Sequence, residues 1–248
     1  MTKKPLAICT FSAVLLPVLL GACAPAPPAA PPAAAAVPAP APTRAAAAPR
    51  PQAAKPAPAA SPLQIDTRHS RILVVVRRGG LFAKLGHDHV VASRHIEGQA
   101  AAPADGQPGS TSFRFRLDQL TVDESALRAE TGLPSVTTAD AIAGTRSNML
   151  TKVLDAEKYP YVEVTAVTTP QGPLQADIKL HGVTRRYAIP AALTARADSV
   201  SASGTFRLKQ SDFGIKPFSV MGGALAVQDE LELSFNISAV GGKLSAPR

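Results

Sequence analysis

The sequence predicts an all-β domain in the later part of the chain, and three features support this prediction. Apolar and polar residues alternate without a break over residues 112–118 and 231–238, so each segment has one dry and one wet face. The same pattern recurs over residues 177–181 and 206–209. Turn residues such as Gly79-Gly80 separate the segments. About eight antiparallel strands of this kind can close into an up-and-down barrel, and a two-sheet sandwich fits the pattern nearly as well.

Further strands are predicted over residues 71–78, 89–98, 161–169 and 187–195. A single helix is predicted between them, with Thr137 or Thr138 as its N-cap and Pro160 preventing its continuation. Its apolar residues recur at helical spacing and form one stripe. These residues are Ile142, Met149, Leu150, Val153 and Leu154.

The start of the chain predicts export. Lys3 and Lys4 precede an apolar run over residues 6–20, which is the layout of a secretory signal. Leu20-Gly21-Ala22-Cys23 resembles the bacterial lipobox, so residues 1–22 are predicted to be a lipoprotein signal peptide and Cys23 the lipidated residue. Cleavage would leave Cys23 as the only thiol of the mature chain, and lipidation gives that thiol a purpose. An ordinary secretory signal with an incidental Cys23 is the alternative.

Residues 23–62 are almost entirely Ala and Pro and offer almost nothing to bury, so they predict a disordered tether ahead of a domain at residues 63–242. The net charge of +8 would suggest nucleic acid, but five basic residues precede the domain. The rest of the chain holds 21 basic and 18 acidic residues, a net charge of +3, which argues against a nucleic-acid partner. The predicted location is the periplasm, attached to a membrane by the lipid anchor. Ala24 after the cysteine favours the outer membrane, by resemblance to known lipoproteins.

Four motifs, in order along the domain, resemble those of the YceI family of lipocalin-like proteins. The resemblance implies an eight-stranded antiparallel lipocalin-like barrel with one helix, a long isoprenoid or other lipid as ligand, no catalysis and a bacterial periplasmic location. No cofactor is predicted. The motifs are Asp155-Ala156-Glu157-Lys158-Tyr159-Pro160 after Met149-Leu150, Leu180-His181-Gly182-Val183-Thr184-Arg185, Ser211-Asp212-Phe213-Gly214-Ile215, and Gln228-Asp229-Glu230-Leu231 through Ala239.

The stretch Gly86-His87-Asp88-His89 departs from the commonest family pattern. If it is a strand, His87 and His89 share one face and could bind a metal ion, with Asp88 pointing away. They could instead contact a ligand head group at the barrel mouth, or simply form hydrogen bonds in a loop. A metal-binding protein or metal-dependent enzyme built on the two histidines is therefore the alternative function, and an envelope protein with a filled barrel is a third. His181 and Asp212 are predicted to be structural residues of turns.

The predicted apolar-ligand site consists mainly of residues on the dry faces of the strands, because Arg114, Arg116 and Glu232 between them require water. Leu231 is expected to face inward with them. No catalytic residue and no metal ligand is assigned, since no nucleophile lies in a recognisable constellation. The predicted ligand-binding residues are Phe82, His87, His89, Phe113, Phe115, Leu117, Phe213, Phe218, Leu233 and Phe235.

Overall fold

The computed structural model describes residues 62–104, 106–134, 138–169 and 172–241. The predicted signal peptide, Cys23 and all of the predicted tether except Pro62 lie outside these residues, as do Thr137 and residue 242. Within the described part, no helix is long and apolar enough to cross a membrane.

The described chain is mostly antiparallel sheet. Its strands are β1 Leu63–Ile65, β2 Arg71–Gly79, β3 His89–Ser93, β4 Ile96–Ala101, β5 Ser110–Arg116, β6 Thr121–Val122, β7 Tyr161–Thr169, β8 Gly172–Leu180, β9 Val183–Ile189, β10 Ala191–Ala195, β11 Ser199–Lys209, β12 Ser219–Val220 and β13 Leu225–Val240. The helices are α1 Ser125–Glu130 and α2 Ala139–Asn148, the second continued by a π-turn over Met149–Val153. The short α1 adds to the single helix that the sequence predicts.

Three pairs of strands are consecutive pieces of one longer strand: β1 with β2, β3 with β4, and β9 with β10, which only Pro190 separates. Joined in this way, and leaving aside the two-residue β6 and β12, they give the eight long strands of the predicted barrel. Each long strand pairs antiparallel with the next in the chain, and β13 returns to pair with β1, β2 and β11. The all-β, lipocalin-like fold predicted from the sequence is therefore confirmed.

The hydrogen-bonded ladder is interrupted at one seam, between β9 and β11. The chain crosses this seam at Pro190, after which β10 pairs with β11 from Ala191↔Gly204 onward. Residues 210–213 fold against β9, where Arg185 Nε donates to the carbonyl of Asp212 at 2.7 Å and Tyr187 Oη donates to Asp212 Oδ2 at 3.3 Å. Phe213, fully buried, stacks on Tyr187 with ring centroids 6.2 Å apart. Side-chain packing therefore fills the gap that the backbone hydrogen bonds leave between β9 and β11. Asp212, predicted to stabilise its own turn, instead forms its hydrogen bonds with β9 across this seam.

The barrel has two different ends. At the helix end lie α1, α2 and the long connections over residues 80–88, 117–160 and 210–224. At the turn end, β4 joins β5 through residues 102–109 and β10 joins β11 through residues 196–198, with no helix among the described residues of either connection. Thr138 Oγ1 accepts a hydrogen bond from the Ala141 amide at 3.3 Å, which confirms one of the two predicted N-caps of α2.

The predicted apolar stripe of α2 and its π-turn packs against the barrel core, with its residues partly buried. Among the fully buried residues of that core are Ile96, Leu117 and Phe213. The helix therefore covers one end of the barrel, as its one-sided pattern predicts. His181 and Gly182 form the tight β8–β9 turn, with φ of 51° and 78°. The His181 ring lies 4.5 Å from that of Tyr159, consistent with its predicted structural role.

Candidate functional site

An elongated apolar cavity of about 350 Å³ runs through the barrel. Apolar side chains from every long strand line it, and no Asp, Glu, Lys or Arg lies among its described lining residues. His89 is the only titratable side chain among them. A cavity with such a lining favours a ligand that is apolar over most of its surface.

The cavity is long. Its lining residues on β13 extend from Val227 to Ala239, which corresponds to about 40 Å along a strand and about 30 Å along the axis of a tilted barrel. The exposed lining residues, Pro103, Ser110, Val167 and Leu193, all lie at the turn end. The cavity therefore reaches solvent at the turn end, while the helix end is covered.

Seven of the ten predicted ligand-binding residues line this cavity. Phe113, Phe115 and Leu117 are also almost fully buried, because their positions on and just after β5 alternate with solvent-facing arginines. Leu231, expected to face inward, lines the cavity too. The predicted inward orientation of these strand residues is thereby confirmed, and their contact with a ligand stays a prediction. The seven are His89, Phe113, Phe115, Leu117, Phe218, Leu233 and Phe235.

Phe82, His87 and Phe213 are not among the lining residues. Phe82 lies in the exposed loop after β2, and His87 is exposed just before β3. Phe213 is buried at the β9–β11 seam, where it contributes to the core. Sequence alternation could not locate these three because none of them belongs to a regular strand. Their proposed contact with a ligand has no support from their positions.

His89 begins β3 and is held by a buried carboxylate. His89 Nδ1 lies 2.6 Å from Asp123 Oδ2, and the Asp123 side chain has no exposed surface. Asp123 Oδ1 accepts hydrogen bonds from the Val90 amide at 3.0 Å and from Arg128 Nη1 at 2.5 Å. Both oxygens of the carboxylate are therefore hydrogen-bonded, which fixes the imidazole beside the cavity.

The surroundings of Asp123 favour its ionised form. Burial by itself raises the pKa of the carboxyl, but hydrogen bonds from His89, the Val90 amide and Arg128 more than offset this effect. The pKa of Asp123 consequently lies below its ordinary value of 3.8. An ionised Asp123 makes His89 Nδ1 the donor in their hydrogen bond. His89 Nε2 then remains without a partner among the described residues.

Two features of the chain position this group. Asp123 adopts a left-handed backbone conformation with φ of 55°, directly after the short β6 that pairs with β3. Arg128 lies on α1, with only 3% of its side chain exposed, and also donates to the carbonyls of Asp88 and Pro134, both at 2.9 Å. The guanidinium thus ties α1 to the start of β3, and it supplies the positive charge that a buried carboxylate requires.

The predicted shared face of His87 and His89 is not observed, because β3 begins only at His89. Asp88 between them does not point freely away: its carboxylate accepts from the Arg78 amide at 2.9 Å and from Arg77 Nη1 at 3.2 Å. Among the described residues, no group of three His, Cys, Asp or Glu side chains could hold a metal ion. The geometry therefore gives the metal-site alternative no support.

Sequence reasoning missed Asp123 and Arg128, the two residues that orient His89. They lie 34 and 39 positions after it in the chain, in a segment without strong periodicity. An arginine inside a short helical segment is ordinarily a surface residue. Only the pairing of β6 with β3 brings the acid to the histidine, so no local signal identified the group.

A model of the YceI-like domain matches residues 63–239, which is most of the chain. Two solved structures have the same fold. The crystal structure of BcnA from Burkholderia cenocepacia is 14% identical, with a TM-score of 0.50, and the match covers 71% of this chain and 99% of that one. A polyisoprenoid binding domain from Saccharophagus degradans implicated in plant cell wall breakdown is 11% identical, with a TM-score of 0.51, over 72% of this chain and 98% of that one.

No protein of established function matches the chain in a search of curated proteins. At these identities, the likeness to the two solved structures concerns the fold alone. The match to the family model is a separate finding, and it spans the barrel from β1 to the last residues of β13. The chain therefore belongs to the YceI-like domain family.

Proposed function

We propose that this protein binds and carries a long apolar molecule, an isoprenoid or another lipid, inside its barrel without transforming it chemically. The observation that carries the proposal is the elongated cavity, whose volume of about 350 Å³ falls within the range of about 300–1,000 Å³ typical of ligand sites. Family membership supports the proposal, as does the polyisoprenoid binding stated for the Saccharophagus degradans domain.

Burial of hydrocarbon supplies the driving force for binding. Each methylene group removed from water contributes about 0.8 kcal/mol, reduced by the entropy lost when a flexible chain becomes ordered. The narrow barrel suits a slender chain rather than a globular ligand, because its lining residues continue for about 30 Å along the axis.

The ligand has a preferred direction in this proposal. His89, at the helix end, presents the only titratable lining side chain, with Nε2 unpartnered among the described residues. A polar head group such as a hydroxyl or a carbonyl would form a hydrogen bond there. The hydrocarbon tail would then extend toward the turn end, where the exposed Val167 and Leu193 line the cavity.

Filling the cavity tests the proposal. Ala176 on β8 lines the cavity and is 2% exposed, so Ala176→Phe places a ring in the ligand's path without burying a charge. The matched control is Ala188→Phe on the neighbouring β9, where Ala188 is exposed. Native mass spectrometry of the full chain, purified from its own cells, should show a bound lipid mass in the wild type and the control and a loss of that mass in Ala176→Phe.

A wild type without any lipid mass would contradict the proposal, as would an Ala176→Phe variant that retains the full amount. Thermal melting of both variants confirms that each is folded when the masses are compared.

The proposed location is the bacterial envelope, with attachment through Cys23. Cys23→Ser removes the only thiol expected to carry acyl chains, and the protein should move from the membrane fraction to the soluble fraction. Unchanged membrane attachment of this variant, once its mass shows that residues 1–22 have been removed, would exclude the lipid anchor as the main attachment.

A further inference from the structure

Two neighbouring loops at the helix end carry five exposed apolar side chains, here called the apolar ledge: Leu81, Phe82, Leu85, Val220 and Met221. Leu81 is 86% exposed, Leu85 73% and Met221 69%. The first segment, residues 80–87, follows β2, and the second, residues 214–224, includes β12 and leads into β13. Water-exposed apolar residues scattered singly need no explanation, whereas a cluster of this kind marks an interaction surface.

Backbone contacts hold the two loops of the ledge together. The Phe82 amide donates to the carbonyl of Ala224 at 2.7 Å, which joins the loops. Gly80, with φ of 84°, lies so close to the second loop that a Cβ atom there would approach the Ala224 carbonyl oxygen to 2.5 Å. The two tips are therefore held side by side.

The backbone at the tip adds a second observation. Met221 adopts a left-handed conformation with φ of 53°, which is costly for a side chain of this size. Its side chain gains little packing in return, because it is mostly exposed. A strained backbone that presents a large apolar side chain to water indicates a contact made with something outside the chain.

The charged residues beside the ledge indicate what kind of surface it contacts. The two segments that carry the ledge, residues 80–87 and 214–224, contain no Asp or Glu. They contain Lys84 and Lys216, both exposed. Apolar side chains that can enter the acyl region, flanked by cations that can meet lipid phosphates, are the combination that binds an anionic bilayer surface.

The geometry points to the apolar ledge as a docking surface for an anionic phospholipid bilayer, separate from any lipid anchor and beyond the ligand binding proposed above. The ledge adjoins the cavity, because two residues next to its second segment line the cavity: Phe218, two residues before Val220, and Val227, near the start of β13. Docking would hold the His89 end of the barrel against the membrane.

Vesicle flotation tests this inference on the predicted mature chain, residues 23–248, with Cys23→Ser in every sample, so that neither an acyl chain nor the apolar run over residues 6–20 contributes. Vesicles of phosphatidylcholine with phosphatidylglycerol should bind this protein, and vesicles of phosphatidylcholine alone should bind it more weakly. Leu81→Ser with Leu85→Ser should reduce binding by about tenfold or more, because two leucine side chains no longer leave water. Lys84→Glu should reduce binding to the anionic vesicles by about tenfold and have less effect on the neutral ones.

The same exchange at the turn end, Val167→Ser with Leu193→Ser, tests the competing exposed apolar surface. Binding that is lost in this variant and kept in the ledge variant would overturn the inference, as would equal binding by the ledge variant and its parent. If the protein without ledge substitutions does not bind vesicles but forms a dimer that requires Leu81 and Leu85, the ledge is an interface with a second copy of this chain and the inference is overturned. The lipid mass bound in the cavity is measured in a separate experiment. A failure of the membrane-docking inference can therefore be told apart from a failure of the proposed ligand binding.

Discussion

The two ends of the barrel differ in what holds them together. The turn end has no helix among its described residues, and the β11–β13 ladder runs to that end in unbroken register from Lys209↔Glu230 to Ser199↔Val240. The helix end holds the long connections, the buried Asp123–Arg128 pair, His89 and the apolar ledge. A regular backbone ladder therefore reaches the turn end, whereas the helix end also depends on a buried pair of charged side chains.

This difference indicates where function is concentrated. His89, the titratable side chain that faces the cavity, is positioned by two residues outside the barrel strands. Asp123 lies on the connection after β6, and Arg128 lies on α1. Long connections can carry such groups because the scaffold beneath them is fixed by its ladders. The predictions below test whether the helix end is as dependent on individual residues as its contacts imply.

The largest effect is expected from Asp123→Ala. This change leaves the buried Arg128 guanidinium without its counterion, and removing one partner of a buried ion pair costs about 3–5 kcal/mol of unfolding free energy. Urea denaturation of the full chain at neutral pH measures the loss. Asp118→Ala is the control, because Asp118 pairs with Arg116 at an exposed position, and its removal should leave the denaturation midpoint almost unchanged. Asp118 also lies at the helix end, so equal midpoints for the two variants would contradict the dependence of this end on its buried ion pair.

A smaller effect, on binding rather than folding, is expected from His89→Gln. Loss of a hydrogen bond to a polar head group should weaken binding of a synthetic prenol by about 1–2 kcal/mol, or roughly tenfold. His87→Gln is the matched control, since His87 is two positions away, exposed and outside the cavity lining. Calorimetric titration of both variants measures the difference. A greater loss in His87→Gln would show that the head group lies outside the barrel.

Acid should weaken the helix end through Asp123. The folded-state pKa of this carboxyl is lowered, so its ionised form contributes stability at pH values above its ordinary pKa of 3.8. That contribution disappears as the pH falls below 3.8 and through the lower folded-state value. The stability difference between the wild type and Asp123→Asn should therefore narrow in acid. A difference that stays constant at the lowest pH at which both remain folded would show that Asp123 is not ionised in the native state.

The smallest effect is expected from deletion of residues 24–62. The Ala/Pro-rich composition gives this segment almost no apolar surface to bury, so the melting temperature of the barrel should remain nearly the same. A fall of many degrees would reveal contacts between this segment and the barrel.

Much of the barrel could be predicted from sequence because strand alternation is a local property. Residues 112–118 and 231–238 show period-two alternation, and the structure turns Phe113, Phe115, Leu233 and Phe235 toward the cavity. The predicted strand over residues 161–169 coincides with β7. The side-chain direction in a strand repeats every two residues, so the sequence alone determines which face is dry once the segment is known to be a strand.

Only the tertiary structure decided the site around His89. The sequence places His87 and His89 two residues apart and suggests a shared face, but β3 begins between them and separates an exposed loop residue from a residue that lines the cavity. Asp123 and Arg128 reach His89 through the pairing of β6 with β3 and the packing of α1, contacts that span more than thirty positions of the chain. Such contacts depend on the whole barrel having formed, and no local pattern of residues encodes them.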